Sequence, residues 1–220
     1  MNIQSLLNQL LQSAGADNPA RRADMGKYAT GAAVGGVLGL LLGTRSGRNM
    51  GGKVLKYGSV AAIGALAWKA YQDHQAQQSA AGGGAAVQPS PSAPTRFEAL
   101  PAPQQELHSQ AMLTAMIAAA KADGHLDERE RGLLQAELQR VQADEATQQW
   151  AARAIEKPAN AAEVAALAQG PEMAAEIYLA SVLVVDESSP AERLYLDDLA
   201  QRLRLAPSLK TDLEAKALAT

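Results

Sequence analysis

The amino-acid sequence predicts an all-α protein, and three observations support this fold class. Aromatic residues make up only 4% of the 220-residue chain, so any core has to be built mainly from Ala, Leu, Val and Met. These residue types favour close-packed helices, whereas strands are enriched in aromatic and β-branched residues. In the second half of the chain, apolar residues recur at the three- and four-residue spacing of amphipathic helices. We therefore expect an N-terminal glycine-rich helical hairpin in a membrane, a linker and a C-terminal compact bundle of about seven helices.

Residues 1–27 are predicted to be an amphipathic N-terminal segment. One face of a helix in this segment would carry the apolar residues Ile3, Leu6, Leu7, Leu10 and Leu11. Two interpretations stay open. The helix either caps a neighbouring part of the protein, or it lies at a membrane interface or against a partner.

Residues 28–72 are predicted to be a membrane segment. No charged residue occurs between Ala29 and Thr44, and glycine recurs at every fourth position, at Gly31, Gly35, Gly39 and Gly43. In water each glycine inside a helix costs about 1 kcal/mol relative to alanine. In a bilayer a groove of glycines lets another helix approach closely. The pattern therefore favours lipid as the surroundings, with helix packing or homo-oligomerisation through the glycine stripe.

A second apolar stretch, Tyr57 to Trp68, would form the other arm of the hairpin after the basic loop RSGRNMGGK. The uncharged run is shorter than the roughly 20 residues of a full span, so one or two crossings stay open. Four basic residues lie in the loop and four outside it, so the positive-inside rule gives no orientation. Residues 73–104 are rich in Ala, Gly, Gln, Ser and Pro and are predicted to be a disordered linker.

Residues 105–220 are predicted to form the helical domain. Asn160 is placed to cap a helix, and Pro190 and Pro207 are placed in favoured first-turn positions. The periodicity and these end signals predict helices over residues 105–122, 127–141, 145–155, 161–168, 172–185, 190–203 and 207–218.

Two acidic loops are the most specific feature of this domain. The first is AAAKADGHLDERE at residues 118–130, and the second, a weakly similar repeat of the first, is VLVVDESSPAERLYL at residues 182–196. Acids in the first turn of a helix are explained by the helix dipole alone. If the loops meet, however, their carboxylates could hold a hard cation such as calcium or magnesium, or face a basic partner. The candidate ligands are Asp123, Asp127, Glu130, Asp186 and Glu192.

The segment KADGHLDERE resembles the signature of the tellurite-resistance TerB-like superfamily, over roughly residues 105–219. The whole arrangement also resembles uncharacterised inner-membrane proteins of the YebE type. The resemblance implies an all-helical fold, the bacterial inner (cytoplasmic) membrane, and a metal-binding or interaction role at the five carboxylates. The second loop departs from the first, because it has Ser188-Ser189-Pro190 and no Asp-Gly.

No catalytic residue is predicted, and we expect the protein not to be an enzyme. The chain has no Cys, which excludes disulfides and thiolate metal sites. Its histidines, His74, His108 and His125, are not at ligand spacing, and His74 is expected on a solvated segment. Nucleophile-elbow and phosphate-loop patterns are missing. The basic residues lie beside the apolar segment, where they suit anionic lipid rather than nucleic acid.

The leading hypothesis is a membrane-anchored interaction or metal-responsive module with an unknown protein partner, serving an envelope or tellurite-type metal stress response. The stress assignment comes from the resemblance alone. One alternative is a metal-dependent hydrolase that uses the clustered carboxylates. Another is a glycine-zipper protein that oligomerises in the membrane and is regulated by the helical domain.

Overall fold

The computed structural model describes residues 3–8, 59–81, 97–122, 144–185 and 189–218. Regular secondary structure in these ranges is helical throughout, which confirms the all-α prediction for this part of the chain. Residues 3–8 are helical, and Phe97–Ala99 form a 3-10 turn. The longer elements are α1 (Val60–Ala81), α2 (Ala102–Ala120), α3 (Glu145–Glu156), α4 (Ala161–Ala165), α5 (Pro171–Val182), α6 (Pro190–Arg202) and α7 (Pro207–Leu218).

Helix α5 is the centre of the bundle. Every residue from Met173 to Val182 is buried, and α1, α2, α6 and α7 all pack against this helix. Many of the buried side chains at these contacts are alanines, such as Ala115 and Ala175. Small side chains let helix backbones approach closely, so a chain with few aromatic residues can still fill its core at normal density.

Local signals fix where these helices begin. Asn160 Oδ1 accepts hydrogen bonds from the backbone N–H groups of Ala162 and Glu163, at 3.0 and 3.3 Å. Ser189 caps α6, and Pro190 and Pro207 are the first residues of their helices. Proline suits this position because the first N–H of a helix has no partner inside the helix. The predicted starts of α4, α6 and α7 are confirmed.

Helix α1 differs from the prediction, because it covers parts of both the predicted hairpin and the predicted linker. Residues 60–68 of the predicted second membrane arm and the first residues of the predicted linker belong to this one helix, which packs against α5 and α7. Its buried residues include Val60, Ile63 and Ala67. Small apolar residues at helical spacing suit a tight protein contact as well as lipid, so the sequence pattern did not separate the two.

His74 on α1 is also buried rather than solvated. Gln78 Nε2 lies 2.7 Å from its Nε2 atom, and Ser208 Oγ lies 3.2 Å from its Nδ1 atom. In the residues that the structure describes, no helix combines the length and the apolar character needed to cross a membrane. The remainder of the predicted membrane segment, residues 28–58, lies outside the described residues and includes Gly31, Gly35, Gly39 and Gly43.

Residues 3–8 of the N-terminal segment pack on the bundle, as the first of its two interpretations expects, whereas Leu10 and Leu11 lie outside the described residues. Ile3, Leu6 and Leu7 are buried and belong to the same apolar core as the later helices. The carboxylate of Glu106 accepts hydrogen bonds from the backbone N–H groups of Ile3, at 2.6 Å, and Gln4, at 3.0 Å. These N–H groups lie in the first turn of the helix and have no partner within it, so an acid there is favourable.

Phe97 extends the ordered domain into the predicted linker. Its ring is 2% exposed and lies over Gly64 of α1. A Cβ atom at Gly64 would stand 2.7 Å from Phe97 Cβ, which is closer than real Cβ contacts allow. A glycine is therefore required for this packing. Residues 82–96 of the predicted linker lie outside the described residues.

Candidate binding groove

Four of the five predicted metal ligands, Asp123, Asp127, Glu130 and Asp186, lie outside the described residues. The fifth, Glu192, is buried in the first turn of α6, where its backbone N–H lies 3.4 Å from the capping hydroxyl of Ser189. Across the described ranges, no three His, Asp or Glu side chains are arranged to hold a metal ion. The carboxylate cation site stays a prediction.

A groove of about 530 Å³ lies between α2, α3 and α4 and reaches the start of α5. Three large hydrophobic side chains are exposed in the part of the chain that the structure describes, and two of them, Leu107 and Leu167, line this groove. They are 44% and 37% exposed. Exposed apolar side chains gathered at one concave site are a mark of a binding surface.

The floor and one wall of the groove are apolar. Trp150 of α3 stands on the wall, half-buried. The floor is formed by small or aliphatic side chains from four helices, Ala111, Ala118, Ala154, Val164 and Met173. Because most of these side chains are short, a partner's backbone can come close to the helices that carry them.

The rim of the groove is positively charged. Arg153 on α3 and Lys157, the residue that follows α3, are exposed, and Arg153 makes no ion pair within the described ranges. Lys157 Nζ lies 3.4 Å from Glu163, the acidic residue of the lining. The whole chain carries a formal charge of −3, so the groove is a basic site on an acidic protein. Such a site attracts an acidic partner.

Lys121 holds the end of α3 against the end of α2. Its ammonium group is buried and donates hydrogen bonds to the backbone carbonyls of Ala154, at 3.1 Å, and of Ile155 and Lys157. The last carbonyls of a helix have no partner inside it, and a cation there also suits the helix dipole. This contact positions α3, and with it Trp150 and Arg153, along the groove.

Sequence reasoning missed Lys121, although it is the first residue of the KADGHLDERE motif. The available signal was a single lysine directly after the apolar last turns of α2, since a lysine near a helix end often donates to the free carbonyls there.

Replacing Lys121 with Met should lower the free energy of unfolding by about 2 kcal/mol, because the carbonyls at the end of α3 lose a charged donor. Urea unfolding followed by circular dichroism measures the change. Lys157→Met is the matched control, since the Lys157 side chain is 67% exposed and its ion pair with Glu163 is solvated. Equal effects of the two substitutions would contradict the role of Lys121.

A buried polar pair lies away from the groove. Nδ1 of His108 on α2 and Oε2 of Glu176 on α5 are 2.5 Å apart, and the side chains are 14% and 4% exposed. The ring of Phe97 covers His108, with the ring centres 6.3 Å apart. Neither partner lines the groove. The pair joins two central helices.

Comparison with known proteins gives the family of the chain. A family model described as "Protein of unknown function (DUF533)" matches residues 27–217. The chain belongs to the DUF533 family. The match includes both the glycine-rich stretch and the helical bundle, so the two parts of this DUF533 protein are features of one family.

One relative of this DUF533 protein is an "Uncharacterized protein in ampR 5'region" from Yersinia enterocolitica. The two are 28% identical over 105 residues, which is 48% of this chain and 76% of the relative. No solved structure matches the chain.

Proposed function

We propose that this DUF533 protein is a non-enzymatic, membrane-attached binding module whose groove between α2, α3 and α4 holds an acidic amphipathic helix of a partner protein. The observation that carries the proposal is the position of Leu107 and Leu167. Most of the large hydrophobic side chains in the described ranges are buried, whereas these two stand exposed on one concave surface.

The shape of the groove favours a helix as the occupant. Its floor is made largely of alanines from α2 and α3, which leaves room for a helix backbone rather than only for side chains. An amphipathic helix fills such a groove with apolar residues at positions i, i+3 or i+4, and i+7. Leu107, Trp150 and Leu167 would contact those residues.

The charge of the rim favours an acidic flank on that helix. Arg153 and Lys157 stand beside the apolar floor, and the exposed Arg153 has no acidic partner in the described ranges. Charges at the rim of an interface mainly set the choice of partner and the rate of association. A basic amphipathic helix would meet two like charges and is disfavoured.

Membrane attachment rests on the sequence. The uncharged run from Ala29 to Thr44 and the basic residues around it suit anionic lipid. The resemblance to TerB-like domains and to inner-membrane proteins of the YebE type supports an interaction domain at the bacterial inner membrane. A role in envelope or metal stress is part of the same proposal.

Peptide binding to the full chain in detergent tests the groove. The chain has two Trp residues, so Trp68→Phe leaves Trp150 as the reporter. The probe is a synthetic Leu/Glu amphipathic peptide of roughly five helical turns, and a Leu/Lys peptide of the same pattern is the control. We expect the acidic peptide to shift the Trp150 emission with a dissociation constant on the order of 10 μM. The basic peptide should bind at least about tenfold more weakly.

Two pairs of variants locate the binding site. Leu167→Gln and Arg153→Glu should each weaken binding of the acidic peptide about tenfold or more. The controls are Leu194→Gln and Arg193→Glu, at exposed positions on α6 outside the groove lining. These two substitutions should leave the affinity for the acidic peptide unchanged. The proposal fails if neither peptide changes the Trp150 emission. It also fails if Leu167→Gln dissolves a dimer of the protein, since a second copy would then occupy the groove.

The other hypotheses depend on residues outside the described ranges. A cation site or a hydrolase would use Asp123, Asp127, Glu130 and Asp186, and oligomerisation would use the glycines from Gly31 to Gly43. Thermal melting with added calcium separates the cation hypothesis from simple helix capping, because a bound ion raises the melting temperature and capping needs none.

A further inference from the structure

The charged residues that line the groove are gathered at one of its ends, which we call the basic end. They are Lys121 after α2, Arg153 and Lys157 at the end of α3, and Glu163 of α4. Lys121 Nζ donates a hydrogen bond to the carbonyl of Ala154, the neighbour of Arg153, at 3.1 Å. Lys157 Nζ lies 3.4 Å from a carboxylate oxygen of Glu163. Three cations against one carboxylate give the basic end a formal charge of +2.

The opposite end of the groove, the apolar end, begins at Leu107. This residue lies roughly four turns before Lys121 along α2, which corresponds to about 21 Å. Its neighbour on α2, His108, contacts Glu176 of α5 at 2.5 Å. Met173 lines the groove one turn before Glu176, so it belongs to the same end as Leu107.

The path from α4 to α5 follows the groove from the basic end to the apolar end. Helix α4 begins close after Lys157 in the chain, and α5 brings Met173 to the apolar end. Leu167 and Gln169 lie between these two helices, and both are exposed in the groove lining. Among the described residues of the lining, the charged side chains are all at the basic end. A partner that fills the groove along its length therefore has to match this polarity.

A helix is polar along its axis in the sense that the groove requires. Its last four carbonyl groups have no partner inside the helix, and its C-terminal end carries the negative side of the helix dipole. The chain itself contains such a contact, since Lys121 donates to the last carbonyls of α3. Arg153 and Lys157 can donate to the end carbonyls of a docked helix in the same way. If that helix were reversed, they would face its unpaired N–H groups instead.

We propose that the partner helix lies in the groove in the same direction as α2, with an acidic C-terminal end at Arg153 and Lys157 and an apolar N-terminal part at Leu107 and Leu167. This inference rests on the proposed function and adds the direction of the helix and the position of its acids. The partner is a protein whose amphipathic helix ends in a cluster of carboxylates. A helix with the same acids in its first turn is disfavoured in the groove, although those acids stabilise it in isolation.

Two peptides of identical composition test the direction. Both are amidated, roughly five turns long and carry the same leucine stripe. One has Glu in its last turn and Gln in its first turn, and the other has the reverse. Binding to the full chain in detergent is read from Trp150 in the Trp68→Phe background. We expect the peptide with C-terminal Glu to bind at least about tenfold more tightly.

The helix content of the free peptides is the control for this comparison. Glu in the first turn stabilises an isolated helix, so circular dichroism should show more helix in the peptide with N-terminal Glu. Intrinsic helix content therefore favours the peptide that we expect to bind more weakly. A tenfold preference for the peptide with C-terminal Glu then has to come from the groove.

Relocating one charge within the groove should remove the preference. Arg153→Gln/Gln169→Arg moves a positive charge from the basic end to the apolar end, keeps the net charge of the chain and changes only exposed positions. The preference between the two peptides should fall to about twofold or less. The matched control Arg193→Gln/Gln201→Arg moves a charge between exposed positions of α6 outside the groove lining, and it should keep the preference.

A photo-crosslinker on the last residue of the peptide with C-terminal Glu gives the direction directly. Mass spectrometry should find the crosslinks at residues 153–158. Crosslinks at Leu107 or Leu167 would overturn the inference and leave the proposed function standing. Equal affinities of the two peptides, or a preference that survives Arg153→Gln/Gln169→Arg, would do the same. If neither peptide bound, the proposed function itself would fail, and the inference with it.

Discussion

His108→Leu is expected to lower the free energy of unfolding by about 3–5 kcal/mol, because it removes the partner of a buried carboxylate. Glu176 is 4% exposed as a side chain and would be left in the centre of the bundle beside a leucine. Urea unfolding followed by circular dichroism at pH 7 measures the loss.

The double variant His108→Leu/Glu176→Leu is the control for this prediction. Replacing both partners of a buried pair by apolar residues of similar size is often close to neutral. The double variant should therefore recover most of the stability that the single variant loses. A single variant within about 1 kcal/mol of the parent chain, or a double variant less stable than the single one, would contradict the role assigned to the pair.

Phe97→Ala is expected to have a similarly large effect, about 3–5 kcal/mol, because it empties the space between α1 and α2 that one ring fills. Phe97 is 2% exposed and packs against Gly64 of α1 and His108 of α2. Hydrogen exchange should also become faster at the amides of residues 97–100. Thermal unfolding and exchange mass spectrometry measure the two effects.

Leu194→Ala is the matched control for Phe97→Ala. Leu194 is also a large apolar residue, but it is 70% exposed, so its truncation should change stability by no more than about 0.5 kcal/mol. If residues 73–104 were a linker throughout, Phe97→Ala would be as neutral as Leu194→Ala. Equal melting temperatures of the two variants would thus contradict the packing of Phe97.

The starts of the later helices could be predicted from the sequence because their causes are local. Asn160 caps α4 through its own side chain, and Pro190 and Pro207 begin α6 and α7. These signals act over three or four residues and do not depend on how the bundle packs.

The role of α1 could not be predicted in the same way. Many of its apolar residues are alanines, and its second half is rich in Gln and Ala, a composition that resembles a linker. Whether Ile63 and Ala67 face lipid or α5 depends on the presence of a complementary helix more than 100 residues later in the chain. For this reason composition alone divided α1 between the predicted membrane segment, residues 28–72, and the predicted linker, residues 73–104.

The candidate site was outside the reach of sequence reasoning for a related reason. The groove exists only where α2, α3 and α4 cross, and Leu107 and Leu167 are far apart in sequence. Leu107 fits the apolar periodicity of α2, yet it is 44% exposed. Similarly, His108 and Glu176 are separated by 68 positions, and no spacing rule connects them.

The hydrogen bonds between Glu106 and the first residues of the chain have a consequence for biosynthesis. The bond from Ile3 joins residues 103 positions apart, so the ribosome has to add that length before the contact can form. At roughly 5–20 residues per second this takes on the order of 5–20 seconds. The glycine-rich run is made early in this interval. A bilayer or a chaperone can therefore bind the glycine-rich run on the nascent chain before the helical bundle has folded.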